Sequence, residues 1–129
     1  MAQVVIWGRR ALIDERRAAL STAIHSAVVT TLDYPAEKLF QRFVRLEPED
    51  FLHPHDRGDE YVIVEISMFE GRTDNAKRAL IAALFRNIEE QARIVPHSVE
   101  ITITEPPRVN WGIRGRNGAD LDLDYSVDV

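Results

Sequence analysis

The chain has 129 residues, which suffices for one domain with a substantial core but not for two independent domains. Its net charge is −5, and its basic residues are scattered among acidic ones, so nucleic acid and anionic membranes are poor default partners. The absence of cysteine excludes disulfides, a thiolate nucleophile and a zinc–cysteine site, and it fits a cytoplasmic location. We expect no signal peptide, because the N-terminus lacks its basic, apolar and small-residue sequence, and no membrane span, because no apolar run approaches the roughly twenty residues required.

The first half, about residues 1–48, has the pattern of a strand, a helix and a second strand. Val4–Trp7 is rich in β-branched residues and predicts a strand that begins almost at the N-terminus. Asp14 favours the start of a helix, and apolar residues three and four apart continue to Leu32, just before a turn that contains a proline. Gln41–Leu46 is the second predicted strand.

The second half, about residues 60–106, repeats this order more clearly. Tyr61–Phe69 is apolar on both parities, which is typical of a strand covered on both faces. Thr73 is a suitable N-cap for a helix whose amphipathic pattern ends near Val95. Val99–Thr104 alternates and predicts another strand, so this half is a β-α-β unit with a right-handed crossover.

The two halves predict a single domain over residues 1–129, built as a duplicated β-α-β. Pro35 and Pro96 occupy corresponding positions 61 residues apart. The expected fold class is α+β (α/β): a four-stranded sheet with both helices on one face, and a short C-terminal strand at Asp120–Tyr125 in the 107–129 tail. The sheet's opposite face is apolar and lacks a cover, so we expect it to pack against other subunits.

Several polar residues are candidates for a small anionic ligand. Arg72 lies where a strand leads into a helix N-terminus, the usual ligand end of such a unit; the alternative is a surface arginine paired with Glu70 or Asp74. Trp111 and Asn110 offer an apolar wall and an amide donor, or else a structural aromatic at a sheet edge.

Other polar groups favour simpler explanations. Arg114 would bring a second cation to an anion, although solvated loop arginines are more common. His53 and His55 lack a convincing third ligand, so we expect neither a metal nor a cofactor. The alternating aspartates at 120, 122 and 124 lack the glycine and glutamate of a calcium loop.

These features together resemble the tautomerase superfamily. The resemblance rests on Glu70-Gly71-Arg72-Thr73 followed by Lys77, on Asn110–Gly115, and on the early strand within a duplicated β-α-β. It covers nearly the whole chain and is closest to the long members, those similar to 4-oxalocrotonate tautomerase and malonate semialdehyde decarboxylase. It implies a homotrimer. A four-stranded RNA-binding sheet shares the element order, but the charge and the lack of its aromatic motif disfavour it.

The resemblance also implies a site. Family enzymes use an N-terminal proline exposed by removal of Met1; this chain has Ala2 instead, so its terminal amine would take that role if Met1 is removed. Arg72 matches the arginine that binds substrate carboxylates, and Lys38 replaces an aspartate of the decarboxylase branch. The implied activity is keto–enol isomerisation or related proton transfer on small 2-oxo acids, more than decarboxylation. The alternative, which Ala2 favours, is a catalytically weak binding or scaffold protein for a small carboxylate.

Overall fold

A computed structural model describes residues 1–123 of the chain. Its main elements, in order, are β1 (Ala2–Arg9), α1 (Arg10–Leu32), β2 (Gln41–Leu46), β3 (Val62–Met68), α2 (Asp74–Ala92) and β4 (Val99–Thr104). A small hairpin follows, formed by β5 (Gly112–Ile113) and β6 (Arg116–Asn117).

The four long strands form one mixed sheet in the order β2-β1-β3-β4. β1 is parallel to β2, and β3 is parallel to β4, so each helix crosses over between the two strands of its own half. The two halves join through the antiparallel pair of β1 and β3, in which Ala2 lies opposite Met68. This arrangement confirms the predicted duplicated β-α-β fold.

Strand alternation separates the two faces of the sheet. The inner residues of β1 and β3, such as Ile6 and Val64, are fully buried under the helices. The helices contribute an apolar stripe each, in the main Leu20, Ile24, Val28, Leu80, Leu84 and Ile88. The opposite face carries half-buried apolar residues, including Trp7 and Ile63, and the Trp7 indole donates a hydrogen bond to Glu65.

The sequence predicts the cap of α2 correctly, but the start of α1 and the end of α2 differ from their predicted positions. The Thr73 side chain accepts a hydrogen bond from the Ala76 amide at 3.1 Å, so the predicted cap of α2 is confirmed. α1 begins at Arg10 and not near Asp14, because β1 leads into it without an intervening turn. α2 ends at Ala92, before the predicted position, with Arg93 in the left-handed conformation (φ 59°).

Short strands do follow β4, but they are those of the hairpin and lie earlier than the predicted strand at 120–125. Asp120 closes a 3-10 turn, and residues 121–123 form no strand. The carbonyl of Leu121 accepts from the Arg108 side chain, and so this oxygen is not free for a strand ladder. Asp124 and Tyr125 lie outside the described residues. Across residues 1–123, no helix combines the length and apolarity that crossing a bilayer requires.

Candidate functional site

The N-terminus, the loop after α1, the end of β3 and the tail meet at one end of the sheet and enclose a pocket of about 210 Å³. A cavity of this size fits a small organic acid better than a large cofactor. Its lining combines apolar side chains with charged ones of both signs: Met1, Glu37, Lys38, Phe40, Phe69, Ile113, Arg114, Leu121, Asp122 and Leu123.

A larger cleft, of about 650 Å³, lies at the other end of β1. It is open, and its charged groups pair with one another: Arg9 with Asp59 at 3.1 Å, and Arg10 with Glu47. These ion pairs leave fewer charged groups free for a ligand, although the Nε atom of Arg9 is buried without a hydrogen-bond partner. The smaller pocket is therefore the better candidate for a ligand site, although its volume is less than that of the cleft.

Met1 lines the small pocket, and its terminal amine has a strongly lowered pKa. Burial lowers its pKa from the ordinary value of 8.0 to about 5, and the positive charges of Arg72, Lys38 and Arg108 contribute in that order. With this pKa the amine is almost entirely neutral at pH 7. A neutral amine has a lone pair and can accept a proton, which a protonated amine cannot do.

Strand pairing fixes the position of this amine. The Met1 carbonyl accepts a hydrogen bond from the Phe69 amide at 3.2 Å, which extends the register of β1 against β3 by one residue. Ala2 is buried, and its amide donates to the Tyr34 hydroxyl at 3.1 Å. The nitrogen predicted to serve after removal of Met1 thus lies beside Tyr34, one residue deeper than the Met1 amine.

Arg72 lies beside the amine but not among the residues that line the pocket. Its side chain is 8% exposed, and Nη1 donates to the Leu32 carbonyl at the end of α1 at 2.6 Å. Gly71, with φ 117°, turns the chain between β3 and α2 just before it. In this position Arg72 ties α1 to the start of α2 and acts on the amine through its charge.

The other two predicted cations, Lys38 and Arg114, do line the pocket. Lys38 is half-buried and its charge helps to lower the pKa of the Met1 amine. Arg114 is exposed and has a positive φ of 52° in the turn of the β5–β6 hairpin. Glu37 and Asp122 add two carboxylates to the rim, so the pocket wall carries two fixed charges of each sign.

Trp111 and Asn110 have separate environments in the structure. The Trp111 ring is buried edge-on against Phe69, with ring centroids 5.2 Å apart, and its indole donates to the Pro106 carbonyl at 3.0 Å. It supports the apolar wall from behind. Asn110 is exposed and lines a shallow groove on the outer side of the tail, away from the pocket lining.

The sequence alone does not indicate three residues that shape the site: Tyr34, Phe69 and Arg108. Tyr34 sits in the helix-terminating Asp33-Tyr34-Pro35 segment, where nothing local indicates that it contacts the N-terminus. Arg108 follows two prolines without any motif, yet its guanidinium lies 5.2 Å from the centre of the Phe69 ring. The apolar character of Phe69 was evident, but its place in a pocket depends on the tail.

The histidine pair lies elsewhere, near the far end of β1. His53 lies in an aromatic cluster, edge-on to Phe51 and tilted against Tyr61, with ring centroids 5.5 and 4.8 Å away. His55 is exposed. Over residues 1–123, no three histidine or acidic side chains come together as a metal site would need.

Known proteins resemble this chain in sequence and in fold. The sequence model of the family described as "Tautomerase enzyme" matches residues 38–114, more than half of the chain. A 2-hydroxymuconate tautomerase from Pseudomonas putida is 35% identical over 57 residues, which cover 44% of this chain and 90% of that protein.

Two solved structures share the fold at low identity. A native fused 4-OT superposes with a TM-score of 0.81 at 22% identity, covering 92% of this chain and 98% of the other. A malonate semialdehyde decarboxylase gives 0.77 at 21%, covering 88% and 92%. Further fused 4-OT structures similar to this chain are wild-type trimers, both asymmetric and symmetric. The family match over more than half of the chain, together with the shared fold, leads to one conclusion: the chain belongs to the tautomerase family.

Proposed function

We propose that this protein transfers a proton on a small 2-oxo acid or its enol, with the terminal amine as the base. The observation that carries the proposal is Met1, which lines a small pocket with apolar and charged walls; its amine lies near Arg72, Lys38 and Arg108 and has its pKa lowered to about 5. An amine that is neutral at pH 7 and faces a ligand-sized cavity is suited to acid–base chemistry.

The reaction needs no co-reactant. In ketonisation, the amine accepts the proton of the enol hydroxyl, and the resulting ammonium returns a proton to C3 as the C2–C3 double bond becomes a single bond. Lys38 and Arg114 would hold the substrate carboxylate at the rim, while Phe69 and Leu121 exclude water from the apolar part. Arg72 would favour an anionic ligand through its charge and would hold the amine neutral.

Two amines are candidates for the base. With Met1 retained, the base is the Met1 amine in the pocket; with Met1 removed, it is the amine of Ala2, displaced by one residue, about 3.5 Å along an extended chain. The Ala2 nitrogen is buried next to the Tyr34 hydroxyl, which would orient it. Because catalytic geometry tolerates little displacement, the two forms should differ strongly in activity.

A second function, binding of a small carboxylate without turnover, is favoured by one observation. Ala2 stands where family enzymes carry proline, while Arg72, which matches the carboxylate-binding arginine, is present beside the pocket. Such a protein would bind a 2-oxo acid and release it unchanged.

We also propose that the protein is a cytoplasmic homotrimer. The trimeric fused 4-OT structures support the assembly, and so do the half-buried apolar residues on the sheet face opposite the helices, such as Trp7 and Ile63. Packing against a second copy would bury this face.

The test is ketonisation of phenylenolpyruvate by the wild type, Ala2→Pro and Ala2→Ser, each with the state of Met1 established by intact mass. We expect weak wild-type activity and a rise for clipped Ala2→Pro, because proline supplies a secondary amine with a fixed φ. Ala2→Ser is the matched control: it is also clipped but keeps a primary amine, so it should behave as the clipped wild type does.

The outcomes separate the two functions. A clipped Ala2→Pro that stays inactive, in a protein that still binds phenylpyruvate by calorimetry, would establish binding without turnover. Rapid wild-type turnover with Met1 attached would exclude the Ala2 amine as the base. If neither binding nor turnover occurs with a panel of 2-oxo acids, the anion pocket is wrong.

A further inference from the structure

Arg108 makes an unusual set of contacts in the tail that follows β4. Its Nε and Nη2 atoms both donate to the Gly118 carbonyl, at 3.0 and 2.9 Å, and Nη2 also donates to the Leu121 carbonyl at 2.5 Å. The guanidinium carbon lies 5.2 Å from the centre of the Phe69 ring. One half-buried cation thus joins two tail carbonyls to an aromatic wall of the pocket.

Gly118 is fitted to this arrangement. A Cβ atom at this position would lie 2.5 Å from the Arg108 carbonyl oxygen and 2.9 Å from the Trp111 Cβ, closer than real contacts allow. The Gly118 amide donates to the Trp111 carbonyl at 2.7 Å. The tail therefore folds back on residues 108–111 closely enough that only glycine is accommodated at 118.

The contacts of Arg108 reach the residues that line the pocket. Leu121, the last residue that it holds, lines the pocket together with Asp122 and Leu123. Arg116, in the same tail, offers a contrast: it is exposed, and its Nη2 donates to the Asp120 carbonyl at 2.7 Å, away from Phe69. The two arginines differ in burial and in what they hold.

We propose that Arg108 is a positioning residue, whose guanidinium fixes residues 118–121 against Phe69 and thereby sets the wall that residues 121–123 present to the ligand. This role rests on the proposed function of the pocket, whereas the attachment of the tail by Arg108 does not. The guanidinium is suited to the task because its fixed fork of donors reaches two carbonyls and its plane stacks on an aromatic ring.

Arg108 has a second, separable effect on the site. Its charge is among the causes that lower the pKa of the Met1 amine, after burial, Arg72 and Lys38. A lysine at 108 would keep a positive charge but lose the fork of donors, whereas a glutamine would lose both. Comparing Arg108→Lys with Arg108→Gln therefore distinguishes the geometric role from the electrostatic one.

The experiment compares the wild type, Arg108→Lys and Arg108→Gln, with Arg116→Gln as the matched control from the same tail. Hydrogen exchange of the Gly118 amide reports the attachment of the tail, and exchange of the β1 and β3 amides reports that the core stays folded. Ketonisation of phenylenolpyruvate gives KM and kcat. Calorimetry with phenylpyruvate gives Kd without relying on turnover.

In both Arg108 variants we expect Gly118 exchange at least tenfold faster, with core exchange unchanged. KM and Kd should rise about tenfold, the equivalent of about 1.4 kcal/mol, because the wall is no longer fixed. In Arg108→Lys, kcat and the titration of the amine should stay close to wild type, and in Arg108→Gln the amine should titrate at higher pH. Arg116→Gln should match the wild type throughout.

Two results would overturn the proposal. Unchanged Gly118 exchange in Arg108→Lys would show that the guanidinium does not hold the tail. Faster exchange with unchanged KM and Kd would show that the tail wall does not position the ligand. Wild-type binding of phenylpyruvate without turnover would instead refute proton transfer alone, because Kd still measures the positioning effect.

Discussion

Removing the charge of Arg72 should make the terminal amine harder to keep neutral. Among the charged neighbours of the Met1 amine, Arg72 is the largest cause of its lowered pKa, second only to burial. Arg72→Met replaces the guanidinium with an uncharged, apolar side chain of similar length. Arg72→Lys, the matched control, keeps the positive charge. We expect the pKa of the amine to rise from about 5 toward 8.0 in Arg72→Met, without reaching it because burial remains.

The effect on the base is large at pH 6, where the wild-type amine is still mostly neutral. With a pKa of about 5, roughly 90% of the amine is neutral at pH 6, whereas an amine at the ordinary 8.0 would be about 1% neutral. The loss of kcat/KM in Arg72→Met at pH 6 is therefore bounded by about ninetyfold, and it should shrink as the pH rises through 8. The wild-type profile should rise through pH 5 and then level off.

The free energy of unfolding should also depend on pH through the protonation of this amine, and the direction of that dependence is fixed. Between pH 5 and 8 the unfolded chain holds a proton on the amine that the folded chain does not, so the free energy of unfolding rises with pH in this window. The full shift would correspond to about 4 kcal/mol, and because the amine still faces the pocket, screening should reduce it to about 1–2 kcal/mol.

The assay is competitive labelling of the terminal amine with trace acetic anhydride from pH 4 to 9, read as the acetylated N-terminal peptide by mass spectrometry. Only the neutral amine reacts, so the labelling curve gives the pKa without any need for turnover. A wild-type midpoint near 8 would refute the electrostatic reasoning, and so would a midpoint that Arg72→Met leaves in place. Because Arg72 also holds the Leu32 carbonyl, each variant is first checked for folding by circular dichroism.

Two further predictions concern stability and assembly. Tyr34→Phe should lower the free energy of unfolding in urea by about 1–3 kcal/mol, because the buried Ala2 amide loses its acceptor. The control Tyr61→Phe should lower it less, because the Glu100 partner of Tyr61 is exposed to solvent. Equal losses would contradict the role of Tyr34. Light scattering during gel filtration should give a mass about three times 14.7 kDa, and a stable 14.7 kDa species at micromolar concentration would refute the trimer.

Local signals in the sequence predicted most of the fold. Gln41–Leu46 and Val99–Thr104 are strands with the predicted bounds, the second of them indicated by alternation, and Thr73 caps α2 with the hydrogen bond that its position suggested. The start of α1 was harder to predict from the sequence. Arg9 is extended and makes no side-chain cap, so the chain changes from strand to helix without the usual signal. The β5–β6 hairpin has two residues per strand, too few for any periodicity.

The site was less predictable because its geometry depends on contacts between distant segments. Arg72 and Lys38 were recognised through their place in a motif, and both act on the Met1 amine. Tyr34 and Arg108 have no motif, and their roles follow from where the end of α1 and the tail meet the start of β1. Asn110 and Trp111 are adjacent in sequence, yet one is exposed and the other is buried behind Phe69.

The missing proline changes the reacting group more than it changes the site. Burial and the charges of Arg72, Lys38 and Arg108 lower the pKa of the amine that stands at this end of β1. These causes belong to the pocket and not to a proline ring, so a primary amine there is also neutral at pH 7. Ala2 alone therefore does not remove the capacity to accept a proton. We expect two differences to decide between turnover and binding: the position of the nitrogen, which differs by one residue between the clipped and unclipped chains, and the change from a secondary to a primary amine.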